Sequence, residues 1–231
     1  MPEWIIIVSE ISLIISYICT LVILFDISSG HFQRMRIMNI VWPVTTLYSG
    51  PVGLWFYFKV ARLSQKENPH IQPTSSRKLD HSDRPFWQIA AVSTTHCGAG
   101  CALGDLFAEW IFLLFPFTVF GYKIFGGWTL DYAFAFLFGI AFQYFNIKPM
   151  HNLGVRKAFI AAIKSDFFSL TAWQIGMYGW MAIVLFGVLR GDLPRTGPVF
   201  WFMMQIAMIF GFSTSYPVNR WLIKKGIKEK M

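Results

Sequence analysis

Apolar residues fill most of the chain in long blocks, which short polar and charged stretches separate. About 20 consecutive apolar residues cross the hydrocarbon core of a bilayer as a helix, and six blocks approach or exceed that length. The predicted helices cover residues 2–25, 37–58, 87–115, 128–145, 167–189 and 199–216. Residues 155–164 are expected to form either an interfacial amphipathic turn or an extension of the fifth helix. The pattern therefore predicts an all-α, polytopic transmembrane helix bundle with about six spans.

The polar stretches divide this bundle into three parts. Residues 1–58 are predicted to form an N-terminal two-helix hairpin, and residues 86–231 a four-helix membrane domain. Between them, residues 59–85 are rich in Pro, Ser and charge, which is typical of a flexible loop. Glu10 lies inside the first apolar block and is expected to face the bundle, since a charged group facing lipid is costly.

Prolines and glycines interrupt two of the predicted helices. In the second, Pro43, Gly50 and Pro51 should kink or break the helix, because proline removes a backbone hydrogen bond. Pro217 is expected to end the last helix ahead of a basic tail.

Composition supports a membrane protein and argues against other classes. The 231 residues are 55% hydrophobic and include 24 Phe and 10 Trp, which is too apolar for an ordinary soluble domain. The net charge of +8 could indicate nucleic-acid binding, but the basic residues lie in loops between apolar blocks and form no binding stripe. The three cysteines do not resemble a disulfide framework.

The distribution of positive charge predicts an orientation. With six spans, both termini lie on one side of the membrane, and 15 of the 20 Lys and Arg residues lie on that side. The other side carries only Arg34, Arg36, Lys123, Arg190 and Arg195. Because Lys and Arg accumulate on the cytoplasmic side, we expect cytoplasmic termini and a multi-pass protein of the cytoplasmic (inner) membrane.

The third predicted helix carries the unusual chemistry. Trp87 and Trp110 lie 23 residues apart, which is about 35 Å along a helix and matches the distance between the two interfacial belts. His96, Cys97 and Cys101 therefore fall near the middle of the membrane, where polar groups are costly and usually functional.

Helical periodicity arranges these residues on one face. At 100° per residue, Cys97, Cys101, Asp105 and Glu109 recur every four positions and form a ladder, with small residues beside them. The opposite arc, which includes Leu103 and Phe107, is free to contact lipid or apolar helices.

The first functional hypothesis is transition-metal handling. Two thiols one turn apart beside an imidazole are soft ligands, which suit Cu(I) best and then Zn(II). The predicted metal ligands are His96, Cys97, Cys101 and Asp105. The predicted ion path adds Glu109, His151, Asp166 and Met177. Ion binding at the midplane with an acidic exit is typical of a transporter, acting alone, as a homo-oligomer or in a membrane complex.

Two alternatives remain open at this point. Cys97 and Cys101 can cycle between dithiol and disulfide in a membrane redox enzyme, since α-carbons four residues apart on a helix lie within disulfide range. The same small and sulfur-bearing face also suits a tightly packed helix in a scaffold or assembly factor. The sequence contains no nucleotide-binding loop, zincin motif or nucleophile elbow, which disfavours an ATP-driven pump or a hydrolase.

Four segments resemble a known family. They are HCGAGCALGDLFAEW, GIAFQYFNIKPM, SDFFSLTAWQIGMYGWM and FWFMMQIAMIFGFSTSYPVNRWLIKKGIKEKM. They resemble the bacterial and archaeal membrane family catalogued as domain of unknown function 4396, over about residues 86–231. The resemblance implies an integral membrane protein with the HCGAGC helix as its signature, and it supplies no substrate.

Overall fold

The computed structural model of the chain describes residues 2–33, 35–62, 85–151, 154–188 and 193–228. Within these ranges the regular structure consists of six α-helices and contains no strand. The helices are α1 (Glu3–Ser28), α2 (Met38–Phe56), α3 (Phe86–Leu114), α4 (Lys123–His151), α5 (Val155–Ala182) and α6 (Pro198–Lys224). π-helical turns extend α2 over Tyr57–Arg62 and α5 over Ile183–Val188. The predicted all-α bundle is confirmed.

Five of these helices are long and apolar enough to cross a membrane, and α2 is the exception. Their outward faces carry large exposed apolar side chains such as Ile14, Phe168 and Ile209, as contact with lipid requires. Length, composition and surface therefore agree with a multi-pass membrane protein.

The second helix turns back on itself. Trp42 and Tyr57 are 15 residues apart, about 22 Å along a straight helix, yet their ring centroids lie 5.7 Å apart. The reversal occurs at Gly50, whose φ of 53° and ψ of −129° leave the helical region. Only glycine adopts such a positive φ without strain. Thus α2 is a pair of antiparallel half-helices, 38–49 and 51–62, rather than the predicted sixth span.

The tip of this re-entrant hairpin is buried in protein. A Cβ on Gly50 would lie 2.9 Å from Ser16 Oγ, at the middle of α1. Pro51 frees the carbonyl of Leu47, and Gln205 Nε2 of α6 donates to that oxygen at 2.8 Å. The break predicted at Pro43, Gly50 and Pro51 is therefore present, and a neighbouring helix satisfies the freed backbone group.

Three helices are longer than predicted. The fourth begins at Lys123 rather than near residue 128. The fifth begins at Val155, so residues 155–164 extend this helix and do not form a separate interfacial turn. The last continues through Pro217 to Lys224. Proline inside a membrane helix is tolerated where packing compensates for the lost hydrogen bond. The predicted loop lies largely outside the described residues, since 63–84 are not among them.

The central position of α3 follows from its small residues. It packs against α2, α4, α5 and α6, and more of it is buried than of any other spanning helix in the described ranges. A Cβ on Gly104 would lie 2.5 Å from the Cα of Ala135, and one on Gly100 would lie 2.9 Å from the Cα of Gly139. The two helix backbones can come into contact at these two points because glycine has no side chain.

Glu10 differs from the expectation. The residue is exposed on the outer surface of α1 rather than turned into the bundle. The polar residues that α1 does turn inward are Ser9 and Ser16, which are buried. The hydroxyl of Ser16 accepts a hydrogen bond from Gln205 Nε2 at 3.0 Å.

Candidate functional site

The predicted ladder of α3 is buried along its whole length. Cys97 and Cys101 are 0% exposed, Asp105 is 1% exposed and Glu109 is 3% exposed. On the opposite arc, Phe107 is half exposed. The helical periodicity therefore predicted which side of α3 faces the bundle.

Cys97 lies in a compact polar cluster at one end of the ladder. Its Sγ is 2.7 Å from Lys228 Nζ, 3.2 Å from Ser169 Oγ and 3.3 Å from Asp166 Oδ1. The carboxamide oxygen of Asn219 lies 3.9 Å away. The cluster joins α3, α5, α6 and the C-terminal segment through one sulfur atom.

Lys228 enters this cluster from beyond the end of α6. Gly226, with a φ of 68°, turns the chain in the left-handed region that ends many helices. The backbone amides of Ile227 and Lys228 then donate to the Leu222 carbonyl at 3.0 and 3.3 Å. Lys228 Nζ lies 2.5 Å from Asp166 Oδ1 in a fully buried ion pair. Burial alone would lower the pKa of Lys228, but Asp166 and Cys97 raise this pKa above its ordinary value.

His96 is fully buried and its ring packs against Phe142, with 5.9 Å between the ring centroids. Neither ring nitrogen has a hydrogen-bond partner within the described residues. Helices α3 and α4 are antiparallel, since Gly104 contacts Ala135 and Gly100 contacts Gly139. One turn further along both helices, the same register places Gln143 opposite His96. Both polar atoms of the buried Gln143 side chain also lack partners in the described ranges. Unpaired buried groups on two facing helices can accommodate a water or an ion.

Cys101 occupies a sulfur-rich part of the core. The cluster around it includes Tyr48 from the tip of α2 and Trp173 from α5. It also contains the buried methionines Met177, Met181, Met204 and Met208. Met177, a predicted path residue, thus belongs to the same core cluster as Cys101.

The last two residues of the ladder, Asp105 and Glu109, are acidic. Gln174 Nε2 donates to Asp105 Oδ1 at 3.4 Å, while Asp105 Oδ2 has no partner among the described residues. Asp131 of α4 is 2% exposed, and its Oδ1 likewise lacks a described partner. Glu109 forms an ion pair and hydrogen bond with Arg195, in the segment before α6.

The structure thus combines part of the predicted ligand set with residues that were not predicted. It brings Cys97 to Asp166, whereas His96, Cys101 and Asp105 each face other neighbours. Among the described residues, no three His, Cys, Asp or Glu side chains converge into a preformed metal site. The side chain of His151 lies outside the described part of the chain.

Several residues of the site were not predicted from the sequence, among them Ser169, Asn219, Lys228, Asp131 and Arg195. Asn219 and Ser169 are isolated polar residues on membrane helices, a signal that could have identified them. Nothing in the local pattern distinguishes Lys228 or Arg195 from other basic residues of the tail and turn.

Comparison with known proteins places most of the chain in one family. No curated protein matches the chain, and no solved structure matches it. The family model described as "Domain of unknown function (DUF4396)" matches residues 86–228, which include α3 to α6, the whole ladder and Lys228. The match covers more than half of the sequence, so the chain belongs to the DUF4396 family.

Proposed function

We propose that this protein binds a soft transition-metal ion, Cu(I) first and Zn(II) second, and moves it across the cytoplasmic membrane. One observation carries the proposal. A continuous buried ladder of sulfur and acidic side chains follows the central helix, and an ion pair closes each end. Buried ionisable groups in a membrane helix commonly mark an ion pathway.

The two ion pairs have the positions of gates. Lys228 and Asp166 lie beside Cys97, and Arg195 pairs with Glu109. Cys97 and Glu109 are 12 positions apart, about 18 Å along the helix, so the ladder covers more than half of a hydrocarbon core. An ion that moves along it must separate each pair in turn.

The sulfur atoms favour Cu(I) as the transported ion. Thiolates and thioethers are soft donors that select Cu(I) over harder cations. Cys101 shares its core cluster with Met177, Met181, Met204 and Met208, so soft donors continue beyond Cys97. The oxygen atoms of Asp105, Asp131 and Glu109 lie further along and suit a borderline ion such as Zn(II) or the accompanying protons.

The re-entrant α2 hairpin is the second structural support for transport. Non-helical backbone within a membrane is tolerated where protein surrounds it or where it lines a cavity, and broken helices often mark transporter binding sites. Tyr48, two residues before the tip at Gly50, packs in the cluster that contains Cys101. This broken helix therefore meets the ladder near its centre.

Metal analysis of the purified protein tests this function. After exposure to buffered Cu(I) and removal of excess ion, we expect roughly one bound copper per chain, since the site supplies few thiolates. Cys97→Ser/Cys101→Ser should lose this copper, and proteoliposomes that contain the double variant should lose copper uptake. Cys19→Ser is the matched control, because Cys19 is also a buried free cysteine but lies on α1. Equal copper content in the wild type and the double variant would refute the proposal.

Thiol–disulfide redox chemistry is the second candidate, and one contact favours it. The ammonium of Lys228 lies 2.7 Å from Cys97 Sγ, and a cationic neighbour stabilises a thiolate. A metal-free protein with a reversible Cys97–Cys101 disulfide would support this candidate over transport. Normal behaviour of the double variant in both assays would indicate a scaffold role.

A further inference from the structure

We propose that Cys97, Asp166, Ser169 and Asn219 form a cation site and that the ammonium of Lys228 is its tethered occupant. A metal ion entering from the membrane surface replaces Lys228, and the C-terminal segment then swings away. This inference rests on the proposed function, since it assigns the entry site of the same ion.

The donor atoms around Lys228 are those of a metal site. Lys228 Nζ lies 2.5 Å from Asp166 Oδ1, 2.7 Å from Cys97 Sγ and 3.3 Å from Ser169 Oγ. An ammonium has three hydrogens to donate and no acceptor, so it is satisfied where a cation would be satisfied. A thiol, a carboxylate and a hydroxyl together suit a borderline ion such as Zn(II) and also admit Cu(I).

Neighbouring atoms are ready to serve as ligands when the lysine leaves. Asp166 Oδ2 is buried and has no partner among the described residues. The amide nitrogen of Asn219 donates to the carbonyl and hydroxyl oxygens of Ser215 at 3.1 and 2.9 Å. These bonds fix the side chain so that its Oδ1 is directed toward Cys97. One carboxylate oxygen and one carboxamide oxygen therefore stand beside the sulfur.

The attachment of Lys228 allows it to leave without moving a helix. The residue lies four positions beyond the end of α6, after the left-handed turn at Gly226. Its backbone amide shares the Leu222 carbonyl with Ile227, at a longer distance of 3.3 Å. A rotation about Gly226 can therefore withdraw the ammonium while α6 and Asn219 remain in place.

Lys228 and a metal ion compete for the site because each would neutralise the carboxylate of Asp166. Without a cation, the buried carboxylate of Asp166 would stand uncompensated, which is costly. Either Lys228 or a metal ion supplies the positive charge, and the presence of one opposes the binding of the other. Lys228 thus neutralises the charge of Asp166 in the empty site, which opposes the entry of protons or other small cations.

Competition for Cu(I) from a chelator of known affinity tests the inference. Removing the ammonium with Lys228→Gln should tighten Cu(I) binding on the order of ten- to a hundredfold, because hydrogen bonds to charged groups no longer have to be broken. Lys225→Gln is the matched control, since Lys225 is exposed on the same tail, and it should bind as the wild type does.

A second variant guards against a folding defect in Lys228→Gln. Gly226→Ala keeps every side chain of the site and introduces strain only through the positive φ, since a Cβ there has no atom within 4 Å. It should loosen the tail and tighten Cu(I) binding by a smaller factor. If the wild type binds Cu(I) and both variants bind it with the same affinity, the proposal that Lys228 occupies the cation site is overturned. The proposed function is then unaffected.

If no variant binds Cu(I), the proposed function fails and the lysine is tested separately. In a Cys19→Ser/Cys101→Ser background, Cys97 is the one remaining cysteine. If Lys228 fills the site, Lys228→Gln opens it and Cys97 should be alkylated faster by a small maleimide. Slower alkylation would show that the ammonium only favours the thiolate and does not block the site, and it would overturn the proposal. An alkylation rate that Lys228→Gln leaves unchanged would overturn it.

Discussion

At the scale of single residues, the Arg195–Glu109 ion pair at the far end of the ladder gives a direct prediction. Both side chains are largely buried, so Arg195→Gln leaves a carboxylate without its partner. Breaking a buried pair in this way typically costs about 3 to 5 kcal/mol, and we expect the lower part of that range because Arg195 keeps some exposure. Thermal unfolding in detergent, followed by tryptophan fluorescence, measures the loss.

A second substitution separates the pair from other effects of Arg195. Arg195→Gln/Glu109→Gln removes both charges and should recover most of the lost stability, because no buried charge remains unpaired. Lys123→Gln removes one exposed positive charge from the start of α4 and should leave stability unchanged. If the double variant is as unstable as Arg195→Gln, the packing of Arg195 on Phe112, 4.0 Å from its ring centroid, dominates instead.

Individual site residues divide into those that periodicity predicts and those that it does not. Cys97, Cys101, Asp105 and Glu109 share a helix, so a rotation of 100° per residue was enough to align them. The partner of Cys97 is Lys228, 131 positions away along the chain. Such a contact depends on how helices pack and where a tail folds back, and a single sequence contains no local signal for either.

At the scale of helices, the contact of α3 with α4 depends on residues that lack a side chain. A Cβ on Gly104 would lie 2.4 Å from the backbone nitrogen of Ala135. Backbone cannot yield as a flexible side chain can, so Gly104→Ala must push the helices apart, at a cost of about 1 to 3 kcal/mol. The variant should unfold at lower temperature and bind less Cu(I), because the ladder lies at this interface.

A matched glycine tests whether packing or helix propensity decides the outcome. Gly179 lies within α5, is exposed, and has no atom within 4 Å of a built Cβ. Alanine is the better helix former by about 1 kcal/mol, so Gly179→Ala should be neutral or slightly stabilising. Equal effects of the two substitutions would contradict the close contact at Gly104.

Helix breaks were predicted more reliably than their consequences. Pro43, Gly50 and Pro51 indicated an interruption in α2, and the structure has one. The sequence could not indicate that the chain reverses there, because the reversal depends on Ser16 and Gln205 of other helices. Pro217 illustrates the opposite error, since it looked like a helix end and lies inside α6.

At the scale of the whole molecule, the re-entrant α2 changes the predicted orientation. Five crossings place the two termini on opposite sides, whereas six place them on the same side. With five crossings, the turn after α3 and the segment before α6, which contains Arg195, lie on the face where α1 begins, and Lys228, which follows α6, lies on the face where α1 ends. The face with the N-terminus then carries only Lys123, Arg190 and Arg195, and the other face carries the remaining 17 of the 20 Lys and Arg residues. This segregation is sharper than the one that six spans give, and it predicts a cytoplasmic C-terminus and an external N-terminus.

Reporter fusions distinguish the two arrangements. A fluorescent protein that matures only in the cytoplasm should fluoresce when fused after Met231 and stay dark when fused before Met1. The physical reason is that Lys228 and the basic tail remain on the side where positive loops are retained, while the first crossing carries the N-terminus outward. In a background without native cysteines, Phe120→Cys, at a residue that is 89% exposed in the turn between α3 and α4, should react with an impermeant maleimide from outside in either arrangement, so it checks the orientation of α3 and not the number of crossings. Fluorescence from both fusions would mean that α2 crosses the membrane after all, and Lys228 would still enter its site from the cytoplasm.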